Sequence, residues 1–381
     1  MIAMNKNLLY LKLINLLNGL VFYAPVALLL RTSRGITIPQ FFSLQIILYL
    51  TICLAEIPCG FITDRIRYKN TIVLAMGLMT LARLQFIFAD FYYLFVIEAI
   101  LEGIAISFMS GTMNAYIYQL LGEQDFEKNI SSIDNYGTVG FISSTILFSF
   151  IYKVGGMNTL IVLTIISTFI AFVISFFLQE SHYKENTKKS LKEINLFKKS
   201  HFWKISTYSS IFSLGMIVIN YFYVVKLETL GINETYMSAV ILLYSFVQLA
   251  IPKILGRLNS NNTQCHMKIF LSLAGICFLV LYFSNNIIVT LSMMSIISTM
   301  IMIPYYIFSG LQNNYIDQLN LHDNRATVLS IFNMGNNIVS IISFIFFSIK
   351  VNVNGLNIFL MVGILYIIIA ILYQNVCIED K

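Results

Sequence analysis

Twelve apolar runs repeat along the chain, and this repetition restricts the possible fold more than any other feature. They lie at about 8–30, 38–60, 70–89, 92–119, 131–152, 157–178, 202–226, 235–256, 267–284, 287–318, 327–348 and 354–376. A helix of about 20 apolar residues crosses the bilayer core and satisfies its own backbone hydrogen bonds there. The sequence therefore predicts an all-α polytopic membrane protein with twelve transmembrane helices.

The amounts of charge and apolar surface agree with this prediction. Charged residues make up 11% of the chain and hydrophobic residues 58%, whereas soluble domains contain about 25% charged residues. The net charge of +6 comes from short loops, so it does not indicate nucleic-acid binding. No nucleotide-binding or hydrolase motif is present, and the chain is not expected to be an enzyme.

The distribution of Lys and Arg predicts the orientation. If the N-terminus is cytoplasmic, eighteen of these residues fall on the cytoplasmic side and five on the outside. Positive residues favour the cytoplasmic side of a membrane. We expect a multi-pass protein of the cytoplasmic membrane with both termini in the cytoplasm.

The longest polar segment, 179–200, divides the runs into six and six. The predicted domains are an N-terminal six-helix bundle at 1–180, a cytoplasmic linker at 181–200 and a C-terminal bundle at 201–381. Residues 110–120 and 309–319 agree at seven of eleven positions, so the two bundles are expected to be pseudo-symmetric copies.

A charged loop joins the second and third runs and reads Gly-Phe-Ile-Thr-Asp-Arg-Ile-Arg-Tyr-Lys at 60–69. Its Gly60, Asp64, Arg65 and Lys69 resemble the signature loop of the major facilitator superfamily (MFS), although Arg67 stands where that family usually has a second Gly. The resemblance implies two six-helix bundles, with a substrate site between them near the middle of the membrane.

This loop is the centre of a predicted cytoplasmic gate. Asp64 can cap the next helix and face its positive end, and the bases can pair with acids or with helix C-termini on a neighbouring segment. A positively charged loop that only sets topology also fits. The predicted gate residues are Gly60, Asp64, Arg65, Arg67, Lys69, Glu56, Asp134 and Asp317.

Two acids and one base inside predicted spans are candidates for proton coupling, because charges are costly in a bilayer. Glu98 and Glu102 are four residues apart on one helical face. Arg83 and Glu98 would lie at one level on antiparallel helices, where they could pair as a structural or a coupling device. Glu102 is expected to lie deepest and to exchange the proton.

Amides, aromatic residues and Met dominate the presumed substrate cavity, and fixed charges are few. Such a lining suits amphiphilic or cationic organic molecules, although hydrogen bonds between helices explain amides equally well. The candidate residues are Asn15, Asn18, Phe22, Met109, Met113, Tyr116, Asn220, Tyr221, Tyr305, Gln312, Asn313, Asn333, Asn336 and Asn337.

Further stretches, around 56–58, 110–111 and 325–327, resemble drug-efflux MFS members of low-GC Gram-positive bacteria. The resemblance implies a monomeric proton antiporter that exports small organic molecules by alternating access. The expected partners are a small-molecule substrate, protons and the lipid bilayer; no cofactor or metal is expected. Two alternatives stay open: a proton-coupled uptake symporter of a small metabolite, and a membrane sensor or assembly protein that transports nothing.

Overall fold

The computed structural model describes residues 2–122, 126–180, 200–231, 237–258, 263–350 and 356–373. Within these ranges every long element is an α-helix and no strand occurs. The helices are α1 (Ile2–Gly19), α2 (Ala27–Thr32), α3 (Ile38–Ile66), α4 (Tyr68–Gln85), α5 (Tyr92–Leu121), α6 (Phe126–Ser175), α7 (Ser200–Thr229), α8 (Met237–Gln248), α9 (Ile251–Leu255), α10 (Thr263–Phe283), α11 (Ile287–Gln318), α12 (Arg325–Lys350) and α13 (Asn357–Leu372).

Eight helices in the described part of the chain are long and apolar enough to cross a membrane. Shorter apolar helices occur at Leu242–Leu255 and Asn357–Leu372. Large apolar side chains such as Val154 (75% exposed) and Ile288 (72% exposed) point outward, as expected for a surface that faces lipid. The fold is that of a multi-pass helical membrane protein; the count of twelve spans stays a prediction.

The first apolar run does not form one continuous helix, in contrast to the prediction for 8–30. Helix α1 ends at Gly19, and a 3-10 turn at Ala24–Val26 leads into α2. Pro25 has no backbone N–H to continue a helical ladder. The N–H of Phe22, which the break leaves free, donates to Thr164 Oγ1 at 3.0 Å. A side chain from another helix thus satisfies the broken backbone.

Helix α6 covers the fifth and sixth predicted spans. It contains a sharp break at Gly156, whose φ of 68° lies in the left-handed region that glycine adopts without a steric cost. The break falls between the predicted spans 131–152 and 157–178, so the boundary predicted from the sequence is in the right place.

Contacts between Cα atoms divide the chain into two compact units. The first contains residues 1–193 and 316–337, and the second contains 194–315 and 338–381. Residues 316–337 therefore group with the N-terminal helices. The domain bounds predicted from the sequence stay a prediction.

In the first unit, α1 packs along α6, and α5 packs against both α3 and α4. Its apolar core includes Phe22, Tyr23, Phe86 and Phe95, all at most 8% exposed. The core places aromatic rings beside the charged groups described below.

In the second unit, α10 packs against α13, and aromatic side chains fill the interior. Tyr366 is fully buried and donates its hydroxyl to the carbonyl of Ile211 at 2.8 Å. Phe278 lies 5.7 Å from the Tyr366 ring, so the core of this unit is also aromatic.

Candidate functional site

Five polar residues near the start of α5 form what we call the ion-pair cluster: Tyr23, Arg31, Arg83, Glu98 and Glu102. Glu98 is 3% exposed. Its two carboxylate oxygens lie 3.2 and 3.3 Å from Nη2 of Arg31. A buried carboxylate needs such a partner, because an unpaired buried charge is strongly destabilising.

Arg83, in the last turn of α4, is held by two groups. Its guanidinium donates to the hydroxyl of Tyr23, and its Nη2 lies 3.6 Å from Oε1 of Glu102. Among the described residues Arg83 forms no ion pair with Glu98, so the direct pairing predicted from helix depth is wrong. Arg31 is the partner of Glu98, and the charge of Arg83 acts on Glu98 from farther away. Glu102 is also the less buried acid: its side chain is 22% exposed, against 4% for Glu98.

Arg31 is not among the candidates predicted from the sequence, because it follows the first apolar run and is one of the five charges assigned to the outside. The break after α1 and the short helix α2 bring this residue back against the core, where it is 7% exposed. The rings of Phe41, Phe86 and Phe95 lie within 5.9 Å of its guanidinium carbon. Two acids against one base inside the predicted spans were the signal that a second base was needed.

The charged loop is organised differently from the ion-pair cluster. Helix α3 extends to Ile66, so Asp64 lies in its last turn. The carboxylate accepts the N–H groups of Ala326 and Thr327, each at 3.0 Å, and the Thr327 hydroxyl at 2.5 Å. These are free N–H groups at the start of α12, where a negative charge is favourable.

The expectation that Asp64 caps the next helix is therefore wrong. Helix α4 begins directly after Arg67 and has no side-chain cap from that residue. The first turn of α12 comes close enough to receive Asp64 because two glycines leave room. A Cβ at Gly60 would lie 2.8 Å from both Ser330 Oγ and Thr327 Cα, and one at Gly111 would lie 3.0 Å from Ala326 O.

Glu56 lies two turns before Asp64 on α3 and is 1% exposed. Ser110 of α5 donates its hydroxyl to both carboxylate oxygens at 2.9 Å. The amide of Asn337 in α12 donates at 3.3 Å. We call Glu56, Asp64, Ser110, Thr327 and Asn337 the docking cluster, because these residues join α12 to α3 and α5.

Asp317, at the end of α11, lies next to the docking cluster. It accepts the hydroxyl of Tyr118 at 2.7 Å. It also pairs with Arg325 and with His322, whose Nδ1 lies 3.0 Å away. Asp317 thus holds Arg325 at the start of α12. Among the described residues it forms no ion pair with a base of the 60–69 loop. Asp134, another acid of the predicted gate, is half-buried in α6.

The three bases of the loop make other contacts. Arg65 is exposed and stacks over Phe61 at 4.7 Å. Arg67 has φ 72° and ψ 161°, a conformation that is nearly restricted to glycine. The charges of Arg67 and Lys69 face Glu180, which also accepts the backbone N–H of Lys69 at 3.3 Å. Burial raises the pKa of Glu180, against the opposing effect of these donors and charges.

The sequence model of the Major Facilitator Superfamily matches residues 11–344, which include both clusters. The chain belongs to this superfamily. It is accordingly a membrane-embedded transporter of a family whose members are generally not enzymes.

Solved MFS structures share the fold of this chain at low sequence identity. The human organic anion transporter MFSD10 (TETRAN) has a TM-score of 0.75 at 10% identity, over 97% of this chain and 99% of its own. A variant of the E. coli fucose:proton symporter FucP has a TM-score of 0.72 at 13% identity, over 97% of this chain and 100% of its own. FucP in the outward conformation has a TM-score of 0.76 at 13% identity, over 97% of this chain and 99% of its own. No curated protein matches in sequence.

The residues proposed for the MFS substrate cavity lie in varied surroundings. Asn15 donates to Leu11 O at 3.0 Å, and Asn313 donates to Ser309 O at 2.9 Å. Tyr116 is fully buried. Their assignment to a cavity stays a prediction, as for the rest of the set.

The other members of the set differ in burial and in hydrogen bonding. Asn18, beside the break after α1, has a buried Oδ1 that meets no donor among the described residues. Asn220 is exposed and accepts from Tyr244 at 3.1 Å. The side chain of Tyr221 is outside the described part of the structure. The remaining residues are Phe22, Met109, Met113, Tyr305, Gln312, Asn333, Asn336 and Asn337, which are buried or half-buried.

Proposed function

We propose that this MFS protein is a drug-efflux-type antiporter that exports small amphiphilic or cationic organic molecules in exchange for protons. The observation that carries the proposal is the carboxylate of Glu102. It is partly exposed and lies 3.6 Å from a base that is also held by Tyr23.

In this proposal a proton replaces Arg83 at Glu102, and two contacts of the cluster stay in place. When Glu102 is protonated, the guanidinium of Arg83 keeps its hydrogen bond to the Tyr23 hydroxyl. Glu98 stays paired with Arg31 in either state. Protonation of Glu102 leaves Arg83 with the Tyr23 hydroxyl and the more distant charge of Glu98, so Glu102 can change its charge without leaving another carboxylate unpaired.

Exchange follows from competition for this one negative charge. When the protein is open to the outside, a proton reaches Glu102 and removes the cost of enclosing a charge. When it is open to the inside, an arriving cationic substrate favours the departure of the proton. Each cycle then exports substrate and imports a proton by alternating access.

The docking cluster supports a gate in this proposal. Asp64 holds the start of α12 through two N–H groups and a hydroxyl, contacts that form or break without separating an ion pair. With the orientation predicted from the Lys and Arg bias, this gate is cytoplasmic and both termini are cytoplasmic. A reporter at Thr187, which lies outside the described residues, should give a cytoplasmic signal.

The main experiment is a screen of lipophilic organic cations in energised inverted membrane vesicles. We expect accumulation of substrate that is lost when the proton gradient is collapsed. Glu102→Gln should abolish uphill transport more severely than it weakens substrate binding at equilibrium, and Glu98→Gln should be milder. Asp90→Asn, at an exposed acid on the loop before α5, is the matched control.

Two results would overturn the proposal. Undiminished uphill transport by Glu102→Gln would remove this acid from the coupling role. Gradient-driven accumulation only in right-side-out vesicles would identify uptake symport instead of export.

A further inference from the structure

We propose that Glu56 is a second proton-binding site, and that its proton controls how firmly residues 325–337 of α12 are held against α3 and α5. The use of this proton in transport rests on the proposed antiport. The binding of the proton does not, and it can be measured without a substrate.

The partners of Glu56 are all neutral. Ser110 and Asn337 donate hydrogen bonds to its carboxylate, and no described residue forms an ion pair with it. Glu98 has the same degree of burial but is held by an arginine. A buried carboxylate without a base carries a large desolvation cost, which a bound proton removes.

The surroundings of Glu56 can accommodate the carboxylate and the protonated acid alike. The hydroxyl of Ser330 faces Glu56. Its Oγ atom is fully buried and has no hydrogen-bond partner within the usual distance and angle limits among the described residues. A hydroxyl can donate or accept, so Ser330 is a ready acceptor for the O–H of a protonated Glu56.

The other titratable groups near Glu56 carry no positive charge. Cys53 and Cys59, on the same helix, are the thiols that interact with its charge. Helix α5 presents Ser110, and α12 presents Ser330 and Asn337. Among the described residues that face Glu56, none is a base that would keep the acid ionised.

The consequence for α12 follows from where Asn337 lies. The boundary between the two compact units falls directly after this residue, inside a continuous helix. Ionised Glu56 accepts the Asn337 amide and the Ser110 hydroxyl as a charge-assisted bridge, and such bonds are roughly twice as strong as neutral ones. Protonation therefore weakens the bridge between α12 and α3, and the helix start keeps its contacts with Asp64 and Asp317.

The test is infrared difference spectroscopy of the purified protein in phospholipid vesicles between acidic and alkaline pH. Wild type should show the C=O band of a buried carboxylic acid that disappears on deprotonation. Glu56→Gln should lose this band, whereas Glu102→Gln and the exposed control Asp90→Asn should keep it. An undiminished band in a folded Glu56→Gln variant would overturn the proposal.

A second variant keeps the proposal testable if Glu56→Gln does not fold. Ser110→Ala removes a donor to the carboxyl oxygens and should move the band to higher frequency, because hydrogen bonding lowers a C=O stretching frequency. An unmoved band would show that the acid observed is not Glu56. If adding sodium at constant pH removes the C=O band, the site binds a metal cation, and this result would also overturn the proposal.

The effect on α12 is read out separately by amide hydrogen exchange. In wild type, residues 325–337 should exchange faster at acidic pH than expected from the intrinsic rate, and Glu56→Gln should show this fast exchange at every pH. A pH-independent protection of this segment in wild type would contradict the coupling, whatever the result of the transport assays.

Discussion

The ion-pair cluster and the docking cluster hold their buried and half-buried carboxylates in opposite ways. In the first, arginines neutralise Glu98 and Glu102. In the second, Glu56 and Asp64 receive hydroxyl, amide and backbone N–H donors. A paired charge is costly to separate, whereas a carboxylate with neutral donors can release them or take a proton. The Glu98–Arg31 pair is therefore the rigid part of this unit, whereas the partly exposed Glu102 and the carboxylates of the docking cluster can change their contacts.

The largest effect should come from breaking the rigid pair. Arg31→Met leaves Glu98 buried without its ion-pair partner, and the free energy of unfolding should fall by about 3–5 kcal/mol. Thermal unfolding in detergent measures this loss. Adding Glu98→Gln should restore most of it, since no charge then lacks a partner. Wild-type stability of Arg31→Met alone would contradict the role assigned to the pair.

The next effect concerns the docking cluster. Asp64→Asn keeps the shape of the side chain but removes its charge, so the hold on the α12 start should weaken by about 1.5–3 kcal/mol. Transport should fall while membrane insertion and abundance remain normal. Assays of transport beside protein abundance measure this, with Asp90→Asn as control. Normal transport by Asp64→Asn would reduce the loop to a topology signal.

A packing change tests the same contact without altering charge. Gly60→Ala places a methyl group 2.8 Å from Thr327 Cα and Ser330 Oγ, and such overpacking should cost about 1–3 kcal/mol. Hydrogen exchange of the α12 start should rise. Gly122→Ala is unsuitable as a control because of its positive φ, whereas Gly137→Ala, with 3.5 Å to its nearest neighbour, is suitable. Equal behaviour of the two variants would argue against close docking.

The smallest effect should be a gain. Arg67 adopts a backbone conformation that costs a non-glycine residue about 1–3 kcal/mol, and Arg67→Gly removes this cost. The glycine destabilises the folded state by about 0.5–1 kcal/mol, because it loses more conformational freedom on folding. We expect a net stabilisation of about 1 kcal/mol, offset in part by the lost attraction to Glu180. Thermal unfolding measures it. A destabilised Arg67→Gly would show that the Arg67 side chain matters more than its backbone.

Much of the helical structure could be predicted because an apolar run of about 20 residues crosses a bilayer as a helix. The tenth predicted span, 287–318, coincides with α11, and the fourth, 92–119, nearly coincides with α5. The broken first span was not predicted, because the N–H of Phe22 is satisfied by Thr164, a residue 142 positions away. Local pattern contains no information on such a partner.

The functional sites show the same difference between local pattern and long-range contacts. The sequence by itself determined a polytopic helical membrane protein of the MFS, a charged loop at 60–69, and two acids on one face of α5, because these depend on composition, motif and helical spacing. Only the tertiary structure decided the pairing of Glu98 with Arg31, the capping of α12 by Asp64, and the neutral surroundings of Glu56. These contacts join residues that are 54 to 281 positions apart in the sequence. Burial sets their strength, and burial depends on which helices pack together.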